Sequence, residues 1–203
     1  MNSIHLPFVP PSEVDLKQSY GEIYNNTIKI YTELIKASAN AGIKYAVIHS
    51  GLGVKPEQDR NEVYNIVCSN LKKLCEISKE AGIKLAIENL KPAAIGGTKE
   101  EIYSLINEID DLGVCFDTNH SLCQTNEDFI RLIKDRIVTL HVSDYDFVDE
   151  QHWLPLCGKI NWKSIINELK KVGYDGIFTY EVPSKDSVTV AEIKENYIKL
   201  MNL

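Results

Sequence analysis

Positive charge is scarce in this chain. Its 203 residues carry 22 Lys and Arg against 29 Asp and Glu, a formal net charge of −7. The arginines are Arg60, Arg131 and Arg136, and none sits in a basic run. A nucleic-acid partner, which needs a clustered positive face, is therefore not expected. Long hydrophobic runs are missing too: no stretch approaches the roughly 20 apolar residues of a membrane span, so no membrane partner is expected. The opening residues Met1–Pro11 lack the charged and long apolar regions of a signal peptide. The five cysteines (Cys68, Cys75, Cys115, Cys123 and Cys157) are odd in number, scattered and without a C-x-x-C pair. A disulfide scaffold or thiolate zinc site is thereby disfavoured, and a reducing cytoplasmic location is the expectation. Cys68 and Cys75 read as small buried core residues.

What is present is an alternation of short apolar runs with helix-periodic segments. Strand runs are read at Ser3–Leu6, Tyr45–Ile48, Lys84–Ile87, Val114–Phe116, Ile137–Val142 and Gly176–Tyr180. Helical periodicity lies between them, at Glu22–Asn40, Val63–Ser78, Ile102–Ile109, Phe129–Ile133, Trp162–Val172 and Val190–Leu200. Thr98 and Glu101 spell a capping box; Asn126 and Asn161 are read as N-caps. The run Ala41–Ala46 is echoed forty residues on by Ala81–Ala86, each with a Gly closing a helix before a strand. Strands alternating with helices imply βαβ units and a parallel sheet, and without a linker or composition break residues 1–203 are read as a single α/β domain.

Chemistry-bearing residues follow these runs with regularity. The strand tips carry, in order, His5, His49, Glu88, Asp117, His141 and Glu181. In a parallel α/β sheet or barrel such tips converge on one face. Crowded carboxylates repel unless a counter-charge is present, and a divalent cation supplies it. Glu88, Asp117, His141 and Glu181 form the tightest candidate ligand set, and mixed imidazole and carboxylate donors suit Mn, Zn, Fe or Co better than a purely hard site. His120 is read either as a substrate or second-metal contact or as a cap for the next helix. The stretch Glu150-Gln151-His152 is read either as part of the site or as a mobile acidic surface loop, and Asp144 and Asp146 by default as solvated loop charge.

The series Ile87-Glu88-Asn89, Phe116-Asp117-Thr118-Asn119-His120, Leu140-His141-Val142-Ser143-Asp144 and Tyr180-Glu181-Val182 resembles the xylose-isomerase-like TIM-barrel superfamily. That group holds sugar and sugar-phosphate isomerases and epimerases and the multi-metal apurinic endonucleases. The segment His152–Trp162 is similar to the family's seventh-strand loop, except that its usual Pro-Gly reads Leu156-Cys157 here, so a different backbone path is expected at that point. The resemblance implies a TIM (β/α) barrel that starts at the family's second strand, its first strand and helix missing. Seven strands cannot close the barrel, and the gap would be covered by residues Pro7–Gln18 or by a partner chain, such as a second copy in a homo-oligomer, unless the chain is a truncation.

The resemblance also implies roles. Glu88, Asp117, His141 and Glu181 would hold a divalent metal (Mn, Zn, Co or Mg). Glu88 and Glu181 would be the catalytic acid/base pair. His49, His120, His152 and Trp153 would contact substrate, and His5 and Glu150 could join extra metal ligands. The implied function is a metal-dependent isomerase or epimerase of a small sugar or sugar phosphate, acting by proton transfer through a metal-stabilised enediolate. The alternatives are a non-catalytic metal- or sugar-binding eroded barrel and an apurinic-endonuclease-like phosphodiesterase.

Overall fold

The computed structural model describes residues 1–183 and 188–203. Strands and helices alternate as β1 (Ser3–His5), α1 (Gly21–Asn40), β2 (Tyr45–Ile48), α2 (Arg60–Ala81), β3 (Lys84–Glu88), α3 (Lys99–Glu108), β4 (Gly113–Asp117), α4 (Asn126–Ile133), β5 (Ile137–Val142), α5 (Trp162–Lys171), β6 (Phe178–Tyr180) and α6 (Val190–Met201). All strand pairs are parallel, and the sheet runs β1 to β6 in chain order. Among the described residues the sheet thus has six strands, against the seven that the resemblance implied, and it stays open between β1 and β6. This is the architecture of an incomplete TIM barrel. No helix among the described residues is long and apolar enough to cross a membrane.

The strand alternation separates two interiors. Ala46, Ile48, Leu85, Ile87, Val114, Phe116, Leu140 and Val142 point outward into the main core with the helices. Phe116 stacks on Phe129 with ring centroids 4.9 Å apart, fixing α4 against β4. Inward, Val47, Ala86 and Cys115 form a small separate cluster. Small side chains there fill the barrel axis and leave the next layer toward the strand tips to polar groups.

Helix ends follow local chemistry. The echoed segments end α1 and α2 alike: Gly42 and Gly82 have φ of 74° and 77°, and Ile43 and Ile83 each return an N–H to a carbonyl five residues back, at 3.0 Å in both cases. Gly173 repeats the device after α5. In this left-handed position glycine avoids the Cβ clash.

Two capping assignments change. Thr98 does accept from Glu101 N–H, at 3.2 Å, but the Glu101 carboxylate does not return to the cap. Arg60 captures it in a two-pronged pair (2.7 and 2.9 Å), and Gly96 N–H donates to it as well. A charged bidentate partner outcompetes a single backbone N–H. Helix α4 is capped by Thr125, not Asn126; the Asn126 amide is drawn inward to donate to Thr118 O at 3.0 Å. Asn161 caps α5 as read from the sequence.

The segment Pro7–Gln18 is tied to α1 and α2, with Tyr31 Oη donating to Pro7 O, Asp15 N–H donating to Thr27 Oγ1, and Asn70 Nδ2 donating to Leu16 O and Gln18 O. These bonds hold it against the two helices, while Phe8 lines the same cavity as Thr179 and Tyr180 of β6.

Candidate metal centre

The strand tips meet at one point. Glu88, at the end of β3, is 1% exposed. Its Oε2 lies 3.1 Å from His5 Nε2 and 3.3 Å from His49 Nε2. Its Oε1 lies 3.1 Å from His141 Nδ1. His141 Nδ1 is also 3.4 Å from Glu181 Oε2, so one imidazole nitrogen sits between two carboxylates. Glu88, Asp117, His141 and Glu181 each present a ligand atom within 4.8 Å of the other three. Three further groups among the described residues meet the same distance test: His5, His49 and Glu88; Glu88, Cys115 and His141; and His120, Glu150 and His152.

The electrostatics are those of an anionic cage. Burial alone would raise Glu88, but hydrogen bonds from His141, His49 and His5 outweigh it and hold the carboxyl well below its usual range. Burial raises Asp117 well above its usual value, with Glu88 and Glu181 adding to the rise and His120 opposing it. Burial would also raise Glu181, yet His141 and Asp117 bring it down to about 2. Burial works to lower His120; Asp117, Glu150 and Glu88 overcome it and push the imidazole up to about 10.

These residues fit a divalent cation. Asp117 accepts from Asn119 N–H through Oδ1, at 2.6 Å, while its Oδ2 is buried and finds no donor. An orphaned carboxylate oxygen beside two other carboxylates costs energy that a cation removes. The backbone carrying Asp117 is fixed by Asn89, which donates to Asp117 O at 2.9 Å and accepts from Asp117 N–H at 2.8 Å. The donors are oxygen and imidazole, a mixture suited to Zn, Mn or Co.

Above this floor opens a cavity of about 560 Å³, lined by His5, Phe8, His49, Leu52, Leu90, Lys91, Ala93, Ala94, His120, His141, Glu150, His152, Tyr180 and Glu181 among others. That volume suits a small molecule. Of the sequence candidates for substrate contact, His49, His120 and His152 line the cavity and Trp153 does not. Trp153 exchanges backbone hydrogen bonds with Asp144 (2.7 and 2.9 Å), and this rung sets its ring outside the lining. Glu88 lies below the lining, whereas Glu181 reaches it.

The loop between β5 and α5 corrects the reading of Asp144 as solvated charge. Asp144 is fully buried. Its carboxylate accepts from Tyr145 N–H, Ile160 N–H, Leu156 N–H and Trp162 Nε1–H at 2.9, 3.1, 3.0 and 2.8 Å. A side chain on Gly158 would run into that carboxylate. Leu156 has φ of 74° and His152 φ of 52°, left-handed backbone that the network holds in place. Directly after Pro155, Leu156 thus stands in glycine-like backbone. Glu150 and His152 ride on this loop, which makes them parts of the centre rather than free surface groups.

Other contributors escaped the sequence reading. Phe8 stacks on His49 with centroids 4.2 Å apart. Cys115 sits under the site with its thiol near Glu88 and His141; burial, then the Glu88 charge, pushes it up to about 12. Arg60 pins the cavity wall by donating to the carbonyls of Pro92, Ala93 and Ala94. Asn89, inside the motif, was detectable; the rest carry no local signal, because their roles arise from contacts across 26 or more residues.

Comparison with known proteins agrees with this architecture. A family model described as xylose isomerase-like TIM barrel matches residues 2–201. The uncharacterized protein MJ1311 of Methanocaldococcus jannaschii is 26% identical over 98% of this chain and 70% of its own length. A D-tagatose 3-epimerase-like protein superposes with a TM-score of 0.84 at 24% identity, over 98% of this chain and 78% of that one. The IOLI protein, solved with a zinc atom, gives 0.82 at 18% identity, over 98% and 75%.

Proposed function

Since the chain belongs to the xylose isomerase-like TIM barrel family, we propose that it is a metal-dependent isomerase or epimerase of a small sugar or sugar phosphate. The observation that supports this most is the meeting of Glu88, Asp117, His141 and Glu181 within 4.8 Å at the floor of a sugar-sized cavity. A cation held by these four would act as a Lewis acid, stabilising negative charge on substrate oxygens. Glu181 reaches the cavity and takes the α-proton. Its low pKa makes it a weak base, so the transfer gains from proximity and exclusion of water more than from basicity. Glu88, across the His141 nitrogen from Glu181, is the counterpart carboxylate. His49, His120 and His152 offer ring nitrogens to hydroxyl groups. The zinc atom of the IOLI protein and the epimerase name of the first structural neighbour are in line with this reading.

The test is metal analysis combined with incubation in D₂O with a panel of ketoses and aldoses. Deuterium entering at an α-carbon, dependent on the metal, supports the proposal. A metal-loaded chain that exchanges no α-proton refutes the catalytic part and leaves a binding protein.

One observation favours a second reading. Glu88 bridges His5 and His49 on one oxygen and His141 on the other, and His120, Glu150 and His152 form a further ligand group. Several cations so arranged could cleave a phosphodiester, as the resemblance to apurinic endonucleases implies. The net charge of −7 weighs against a nucleic-acid substrate. Bound zinc in excess of one per chain, with cleavage of abasic DNA, would select it.

A further inference from the structure

Resting on the single-cation reading above, we propose that the Lys91 ammonium is a resident cation that occupies Glu150 and keeps the His120–Glu150–His152 group from taking up a second divalent ion. Lys91 lies in the loop after β3. Its Nζ is 2.8 Å from Glu150 Oε2 and 2.9 Å from Asp149 Oδ1. The other oxygen of Glu150, Oε1, is 3.1 Å from His120 Nε2. His120 Nδ1 is spent on Asn89 O at 2.7 Å, so Nε2 is the nitrogen it can offer a ligand. His152 stands beside it with ring centroids 6.2 Å apart.

Two imidazoles and a carboxylate at this spacing are a chemically sound seat for a borderline divalent metal. What sets this seat apart from the four-ligand centre is a positive charge already in contact with one of its ligands. Lys91 is the one lysine or arginine among the described residues that line the cavity. A divalent ion bound to Glu150 would lie about 5 Å from that ammonium, and the repulsion weakens binding about tenfold even at the dielectric of water. At the Glu88–Asp117–His141–Glu181 centre the ion-pair partners of the carboxylates among the described residues are all histidines, and the orphaned Asp117 oxygen adds to the demand for a cation. With Lys91 in place, the His152 Nε2 stays available to hydrogen-bond a substrate hydroxyl. Lys91 therefore determines how many metals the centre holds, and with that, which of the two readings above the chain can follow.

The full chain and its Lys91→Met and Lys91→Arg variants are each stripped of metal and dialysed against graded Co²⁺, and bound metal is measured per folded chain. The expected result is one equivalent in the wild type, a second in Lys91→Met with affinity at least about tenfold above any second binding in the wild type, and one in Lys91→Arg. Adding His152→Ala to Lys91→Met should remove the second equivalent and locate it. One equivalent in wild type and Lys91→Met alike overturns this inference alone, as does a second equivalent that binds the wild type as tightly as it binds Lys91→Met. No metal in any of the chains overturns the four-ligand reading with it. Lys91 is 41% exposed, so the substitution spares the core, and circular dichroism checks that each chain is folded.

Discussion

The rings of His5 and His141 stack with centroids 5.9 Å apart, although three strands separate β1 from β5. In a flat sheet their strands would stand about 19 Å apart. The sheet is therefore curled enough for the first and fifth strands to address one point, and Glu88 on β3 lies between them with an oxygen facing each ring. Curling, with closure incomplete, is what turns six separate strand tips into one centre.

Asp117→Asn should separate stability from metal affinity. The Asp117 carboxyl is buried beside Glu88 and Glu181 and held well above its usual pKa. An amide of equal size removes that conflict, so the metal-free variant should melt at or above the wild-type temperature. It should also lose at least about 100-fold in metal affinity. Paired melts with and without zinc measure both; a clear loss of metal-free stability would show that Asp117 is not strained.

Stability of the metal-free protein should peak in mildly acid solution. His120 is held up to about 10 from an ordinary 6.5, so its charged form stabilises the fold fully below 6.5 and the contribution fades as pH rises to 10. Glu181 is brought from 4.5 to about 2, so its contribution is complete above 4.5 and lost as pH falls to 2. Asp117 acts oppositely, disfavouring the fold once its unfolded-state carboxyl ionises. Urea titrations near about pH 5.5 should give greater stability than at about pH 3 or about pH 9. Metal uptake displaces protons from Asp117 and His141, and its affinity should rise with pH across this range.

Glu181→Gln should leave the fold intact, because the Glu181 side chain is 45% exposed and lies at the cavity rim. Proton exchange at the substrate α-carbon should fall about 10²- to 10⁴-fold. Retention of full exchange would remove Glu181 from the proton-transfer role.

Asp144→Ala should cost about 3–5 kcal/mol, because four donors lose a buried charged acceptor together. Asp144→Asn keeps one acceptor oxygen and should cost less. Chemical denaturation gives the order of the two losses, and equal, small losses would contradict the role of Asp144 as the anchor of this loop.

Leu156→Gly should stabilise the protein by about 1 kcal/mol. The leucine is held at φ 74° and is 42% exposed, so glycine relieves left-handed strain and gives up little burial. A lower melting temperature would show that the Leu156 side chain packs more than its exposure indicates.

The sequence by itself determined the parallel βα order and the place of the ligand-type residues at the strand tips. These are local matters: short apolar runs, period-3.6 patterns, a glycine after each of α1, α2 and α5, and a polar residue where each apolar run stops. It did not determine the partner of Glu101, because a remote Arg60 outbids the nearby cap. Nor could it show that Asp144 is a buried hub, since an aspartate after a strand looks the same whether water or four distant N–H groups surround it. Which oxygen of Glu88 meets which imidazole, and that Lys91 reaches Glu150, depends on the curl of the sheet and the closure of loops. Those distances join residues 83, 53 and 59 positions apart, and at that range only the packed tertiary structure fixes who meets whom.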